Sequence, residues 1–259
     1  MTAVPGSSTP SSDFDDWSAR DYLAEYYGSV MDDERHALAF LVESVRGLPQ
    51  LERALEFGCG PCVHHCFALI PRVAEIHVAD FVAGNLAEIQ RWQAREPGAH
   101  DWSAFTAETL ALEGIAASAE NIARREQEAR ARVKRRMVAD VRDRDPLGPA
   151  GRGAYPLVTS HYCAEAISTD KDVFRSNVGN LAGMVEPGGT LILSACGAAR
   201  SYKVGERHFP CAGVTGEDVL SALLDIGFCE VDLRVRSTPA HTAQGYSSVI
   251  FARARSPRE

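Results

Sequence analysis

The stretch Leu55-Glu56-Phe57-Gly58-Cys59-Gly60-Pro61 decides the fold. The short apolar run Ala54–Phe57 ends on it, and two glycines one residue apart then supply a bend with almost no side-chain bulk. At the carboxyl end of a strand, such a bend lets backbone N–H groups and a helix N-terminus come close to a ligand. Pro61 suits the first turn of the following helix, where its missing N–H is no loss. Gly-x-Gly alone is weak evidence, but its surroundings strengthen it. Glu75–Asp80 reads as the next strand and ends on Asp80, about twenty residues past the bend, where a carboxylate is placed to accept hydrogen bonds from a ribose diol. Met137–Val141 reads as a third strand and carries Asp140 at the same sheet edge, placed to bond an adenine amino group. A nucleoside-containing cofactor is implied.

Further along, Leu157–Ser160, Thr190–Ala195, Val231–Val235 and Ser248–Ala252 read as strands, with helical stretches between most of them. Alternation of this kind predicts βαβ units and a mainly parallel sheet covered on both faces. Val185-Glu-Pro-Gly-Gly-Thr-Leu-Ile-Leu193 places a Pro-Gly-Gly turn before the fifth strand, and only a turn around Thr238–Gly245 separates the last two, so these form an antiparallel hairpin. Within His100–Arg136 a long charged helix, Ala123–Arg136, precedes the third strand and reads as a solvated face. Before the first strand, Arg20–Tyr27 and Asp33–Val45 show apolar residues at helical spacing behind acids suited to a first turn. The Ser-, Pro- and Asp-rich residues 1–16 read as a disordered tail, and 17–259 as a single domain whose residues 17–50 form a helical cap.

Composition narrows the partners. A net charge of -8 opposes a nucleic-acid surface, which draws its affinity from clustered Lys and Arg. No apolar run approaches the roughly 18 residues of a membrane span, and the amino terminus lacks the basic flank and apolar core of a secretory signal. Seven cysteines, an odd number in a chain of ordinary domain size, read as reduced thiols. The expectation is a cytoplasmic protein, a monomer or weak homodimer, acting on a small molecule, with neither nucleic acid nor membrane as partner.

After Gly60 come Pro61, Cys62 and Val63, so the third glycine of a nicotinamide-dinucleotide motif is missing. From Asp21 onward the chain resembles the S-adenosylmethionine-dependent methyltransferases of the nicotinamide, phenylethanolamine and thioether (indolethylamine) N-methyltransferase family. The resemblance rests on Arg20-Asp-Tyr-Leu-Ala-Glu-Tyr-Tyr27, the glycine bend, Arg95-Glu-Pro-Gly-Ala-His-Asp-Trp-Ser103, Cys163-Ala-Glu-Ala166 and Gly205-Glu206, in that order. It implies a Rossmann-like class I methyltransferase fold: an α/β domain with a seven-stranded, mainly parallel sheet, an antiparallel C-terminal hairpin and an N-terminal helical cap. It also implies S-adenosyl-L-methionine as cofactor and S-adenosyl-L-homocysteine as product. Cofactor contacts are carried over to Tyr22, Tyr27, Gly58, Gly60, Asp80, Asn85, Asp140 and Val141, and a substrate contact to Glu165; Cys59 and His161 join the cofactor candidates, and Tyr26, His161 and Tyr202 the substrate-binding candidates. Glu165 and Tyr22 are the catalytic candidates, Glu165 because the corresponding family acid holds the substrate amine or amide.

Other readings bear on single residues. Cys59-Gly-Pro-Cys62 has dithiol redox spacing but lies inside the cofactor bend. Cys62-Val-His-His-Cys66 offers zinc-type donors but no second Cys/His pair, so helix packing is expected and no metal. His208 reads as locally satisfied. The run Ser194–Tyr202 lacks the carboxylate that catecholamine and nicotinamide relatives carry, the terminal turn Pro239–Ser248 lacks the acidic pair of the phenylethanolamine branch, and the small hydroxyl contacts to nicotinamide are replaced around Cys211 and His161. N-methylation of some other small amine or heteroaromatic nitrogen, in a biosynthetic pathway, is the leading expectation. An oxygen, sulfur or carboxylate acceptor, a catalytically idle cofactor-binding protein, a dinucleotide oxidoreductase and a nucleic-acid methyltransferase are the alternatives.

Overall fold

The structure, a computed structural model, describes residues 14–239 and 245–258. One sheet has seven strands in the order β3-β2-β1-β4-β5-β9-β8: β1 Leu51–Phe57, β2 Val73–Asp80, β3 Val133–Val138, β4 Tyr155–His161, β5 Val185–Gly197, β8 Cys229–Ser237 and β9 Ser248–Arg255. β1 to β5 pair in parallel, and β9 runs antiparallel to both β5 and β8. The reversed strand thus lies one place in from the edge. Successive side chains of the central strands face opposite cores, as a period of two requires. Ala54, Leu157 and Ile192 join one, Leu55, Val158 and Leu191 the other. Both faces are buried, which is why these strands read as continuous apolar runs.

Helices α2 (Asp32–Arg46), α3 (His64–Leu69), α4 (Ala83–Gln93), α5 (Ser103–Glu113) and α6 (Ala119–Arg132) supply the first core through Leu38, Phe67, Ile89, Phe105 and Ala129. α7 (Lys171–Ala182) and α8 (Gly216–Asp225) supply the second through Phe174, Val178, Val219 and Leu223. Thr215 and Asp218 close a reciprocal capping box at the start of α8. α1 (Ala19–Tyr26), capped by the Ser18 side chain on Asp21 N–H, lies over the carboxyl ends of the parallel strands together with the antiparallel ribbon β6 (Ser201–Val204) and β7 (Arg207–Pro210).

The differences from sequence expectation have local causes. β3 covers Val133–Val138 rather than Met137–Val141, and α6 stops at Arg132 rather than Arg136. β3 is an edge strand bonded only to β2, so Lys134, Arg135 and Arg136 face solvent and disguise a strand as a charged helix. The single helix expected before it is two, separated at Gly114 in the left-handed region (φ 80°). α3 begins at His64, three residues after Pro61. β6 and β7, joined through Gly205 (φ 57°), were not anticipated as strands. Phe14–Asp16 form a 3-10 turn, where a tail was expected to Asp16; residues 1–13 of that tail, and residues 240–244 of the expected turn, lie outside the described residues. Among the described residues, no helix is long and apolar enough to cross a membrane.

Candidate active site

A cleft opens above the carboxyl ends of β1, β2, β4 and β5, and every catalytic, cofactor and substrate candidate named from the sequence borders it. The glycine bend forms one wall. Gly58 adopts φ 68° and donates its N–H to Ala79 O at 2.8 Å, while a Cβ on Gly58 would fall 2.3 Å from Cys163 Sγ. Gly58→Ala should lower stability by about 2 kcal/mol or more, from left-handed strain and overpacking. In thermal melts Cys163→Gly should recover part of the loss; a double variant no better than Gly58→Ala would show that the clash is not its source.

Gly60 (φ 58°) donates its N–H to Asp80 Oδ2 at 2.7 Å, so the bend and the acid of the next strand are bonded directly. Asp80 Oδ1 accepts from Val82 N–H (2.8 Å) and Asn85 Nδ2 (2.9 Å). Burial raises the Asp80 carboxyl against these three donors. Asp140 lies two residues beyond β3, where Arg142 clamps both its oxygens at 2.6–2.9 Å and covers the Phe81 ring; Val141 is buried beside it.

The opposite wall is aromatic. Trp17 Nε1 donates to Asn85 Oδ1 (2.8 Å) and its ring lies 4.8 Å from Tyr22, while Phe14 stacks on Phe209 of the ribbon at 5.5 Å and 10°. Tyr26 donates to Lys203 O (2.8 Å), and Tyr202 stacks on Phe209. Tyr27 rests on His64 and Trp102, which the run Arg95–Ser103 delivers from below. Burial pushes the Tyr22 and Tyr27 phenols well above their ordinary range, so both keep their protons. Trp17 and Phe14 were not among the sequence candidates, because an indole or phenyl ring near a polar tail gives no periodic signal.

Glu165 is 1 % exposed, in the turn after β4 that Asn177 braces through Ala164 O (2.9 Å). Its Oε1 accepts from Cys196 N–H (2.8 Å), Oε2 has no partner, and burial raises the carboxyl to about 7. Tyr162, just before this turn, is held at φ 54°, a costly conformation for an aromatic residue, and its buried hydroxyl also lacks a partner. His208 is exposed on β7, away from the cleft. The Cys59 and Cys62 thiols are buried and pushed upward, the reverse of an activated redox pair.

Three acids that border the cleft were missed. Asp33 and Glu34 looked like solvent-facing acids of a helix's first turn, yet both are 3 % exposed; Tyr246 donates to Asp33 Oδ2 at 2.7 Å. Glu56, beside the glycine bend, is 1 % exposed; burial favours its neutral form, but His161, His65 and the donating Thr159 hydroxyl outweigh this and hold it at about 2. Glu34 is likewise held below its ordinary range by His64 and His65 despite burial. Burial and the nearby His65 lower His64 to about 4 and His161 to about 3. His65 overcomes its own burial through Glu34 and Glu56 and rises to about 9.

The strand order, with one reversed strand next to the edge, is the sheet of the class I, Rossmann-like methyltransferases. The N-methyltransferase NodS from Bradyrhizobium japonicum WM9, solved with S-adenosyl-L-homocysteine, superposes with a TM-score of 0.52 over 92% of this chain and 98% of its own, at 16% identity, a likeness of fold. The sequence pattern of the NNMT/PNMT/TEMT family matches residues 8–255, and the chain belongs to that family. It is 32% identical to the indolethylamine N-methyltransferase of Oryctolagus cuniculus over 81% of each chain. With the nicotinamide N-methyltransferase of Sus scrofa it shares 28% identity over 90% of this chain and 88% of the other. It is an S-adenosylmethionine-dependent methyltransferase.

Proposed function

We propose that this enzyme methylates a nitrogen of a small amine or heteroaromatic molecule. The observation that carries the proposal is Glu165: a wholly buried carboxylate at the cleft with one oxygen satisfied by Cys196 N–H and the other unpartnered. A positively charged or proton-releasing nitrogen supplies what that oxygen lacks. The rest of the wall favours the same acceptor. Asp33, Glu34 and Glu56 add buried acids, and Arg142 is the only Lys or Arg bordering the cleft among the described residues. An acceptor carboxylate would find like charge there.

S-adenosylmethionine, when bound, supplies a methyl group already activated on a sulfonium. The chain's own residues therefore need to bind, orient, exclude water and take up a proton. Of the residues bordering the cleft, Gly58, Cys59 and Gly60 would offer backbone to the cofactor, Asp80 and Asn85 would hold its ribose, and Asp140 and Val141 its adenine. Tyr22 and Tyr27 cover the opposite end; the Tyr22 ring packs next to Gly60, where its face attracts a sulfonium by about 0.5–2 kcal/mol. Tyr26, Tyr202 and His161 border the acceptor's space. Glu165 would hold an acceptor amine with its lone pair free and would take up the N–H proton that methylation makes surplus.

Incubating the protein with methyl-labelled S-adenosylmethionine and matched panels of amines, heteroaromatics and carboxylic acids tests this reading by mass spectrometry. Label is expected on nitrogen only; label on carboxylates alone would refute it. Seven free cysteines, five of them bordering or beneath the cleft, fit the reducing cytoplasm, and the acidic chain fits a monomer or weak homodimer without nucleic-acid or membrane partners.

A further inference from the structure

A second hollow, of about 440 Å³, lies at the opposite end of the sheet from the cleft. Its walls are the C-terminal ends of α2, α3 and α5, the residues that lead into β1 and β2 at Gln50 and Arg72, and one face of α6. Val42, Val45, Ala68 and Ile70, all buried, give it an apolar lining. Among the described residues its charged groups are Arg46, Arg72, Arg125 and Arg132 against Glu113 and Glu128. Four guanidiniums facing two carboxylates leave two positive charges in a chain whose net charge is -8.

The four arginines are not alike. Arg125, 7 % exposed, grips both oxygens of Glu113 at 2.8 and 2.6 Å and also donates to Phe67 O. Arg46, Arg72 and Arg132 make no ion pair among the described residues. They donate to carbonyls instead: Arg46 Nη2 to Leu112 O (3.2 Å), Arg72 Nη2 to Arg46 O (2.9 Å), and Arg132 Nη1 to Val73 O (2.8 Å) and to Ile70 O. Carbonyls at helix ends fix a guanidinium in place without cancelling its charge. Glu43, the acid nearest to Arg46 along α2, is itself held through both oxygens by Arg234. Helix capping accounts for where these heads sit. It accounts neither for the hollow between them nor for Arg72 Nε, which is buried without a hydrogen-bond partner.

We propose that this hollow is a second ligand site, which takes a small organic phosphate with its anionic end among Arg46, Arg72 and Arg132 and its organic body on Val42, Val45 and Ile70. A phosphate monoester carries a charge of about -1.5 to -2 and three acceptor oxygens, which matches the two uncancelled positive charges better than a single carboxylate does. The planar guanidinium fork suits its geometry. The 15 residues of α2 separate the hollow from Asp33 and Glu34 by about 22 Å of helix, so a ligand seated there touches neither cofactor nor methyl acceptor. The assignment is therefore independent of the role given to Glu165.

Calorimetric titration of the whole chain with phenyl phosphate, benzoate and inorganic phosphate tests this. Phenyl phosphate should bind once per chain with a Kd of about 0.1–1 mM, about tenfold tighter than either of the others. Added salt should weaken it, and saturating S-adenosylhomocysteine should leave it unchanged. Arg72→Gln and Arg132→Gln should each weaken binding by about tenfold, and Glu128→Gln, which removes the opposing charge, should tighten it by about two- to fivefold. S-adenosylhomocysteine binding by each variant shows that it has folded. No phenyl phosphate binding by the wild-type protein, displacement by S-adenosylhomocysteine, or equal affinity in the folded arginine variants overturns the proposal. Benzoate binding as tightly as phenyl phosphate overturns the assignment to phosphate.

Discussion

Glu165→Gln is expected to lower kcat by about 10²- to 10³-fold while leaving S-adenosylhomocysteine affinity unchanged, as the loss of a proton acceptor that does not touch the cofactor requires. The replacement is nearly isosteric and can still accept from Cys196 N–H, so the loss reflects charge rather than packing. Wild-type kcat should rise with pH through an inflection near 7, because burial raises the carboxyl to about 7 and the acceptor form is the ionised one. That inflection should disappear in the variant. Stability carries the same signature with the opposite sense. The folded carboxyl binds its proton more tightly than the unfolded chain does, so its contribution is fully present below about 4.5 and is lost as pH rises through about 7. The loss is on the order of 3 kcal/mol. Glu165→Gln should flatten this part of the melting profile. Undiminished turnover in the variant would remove Glu165 from the mechanism.

Asp80→Ala should weaken S-adenosylhomocysteine binding by about 100-fold or more in calorimetry. Three of roughly four acceptor positions on the carboxylate are already filled by Gly60 N–H, Val82 N–H and Asn85 Nδ2, which leaves one for a ribose hydroxyl. Losing a charge-assisted bond costs about 1.5–3 kcal/mol, and Gly60, Val82 and Asn85 lose their shared anchor as well. Asp80→Asn, which keeps an acceptor, should cost less. Affinity within about threefold of wild type in folded Asp80→Ala, less than 1 kcal/mol, would refute the ribose assignment.

The readable parts of this molecule were those whose physics is local. Buried strands give apolar runs, Gly58 and Gly60 mark a bend that tolerates positive φ, and Asp80 closes the next strand, so the sheet, the bend and the acid beside it were visible together. The errors came from residues whose environment is set by distant chain. Lys134–Arg136 look helical until β3 is seen to be an edge, and Asp33 and Glu34 look solvated until Tyr246 and His64 meet them across the fold. Glu56 did offer a signal: an acid in the last turnless residues of an apolar strand must be paired once buried, and the histidines to pair it were present at positions 65 and 161. Asp33 and Glu34 reach the cleft from α2, an element whose acids read in the sequence only as those of a helix's first turn.

The flat ring-on-ring contact of Phe14 with Phe209 ties the first described residues to the ribbon, and the Trp17–Asn85 hydrogen bond ties them to α4. Asn85, which takes the Trp17 indole, is also the side chain that donates to Asp80, so a change that frees either ring loosens the anchor of the acid at the far end of the same chain of contacts.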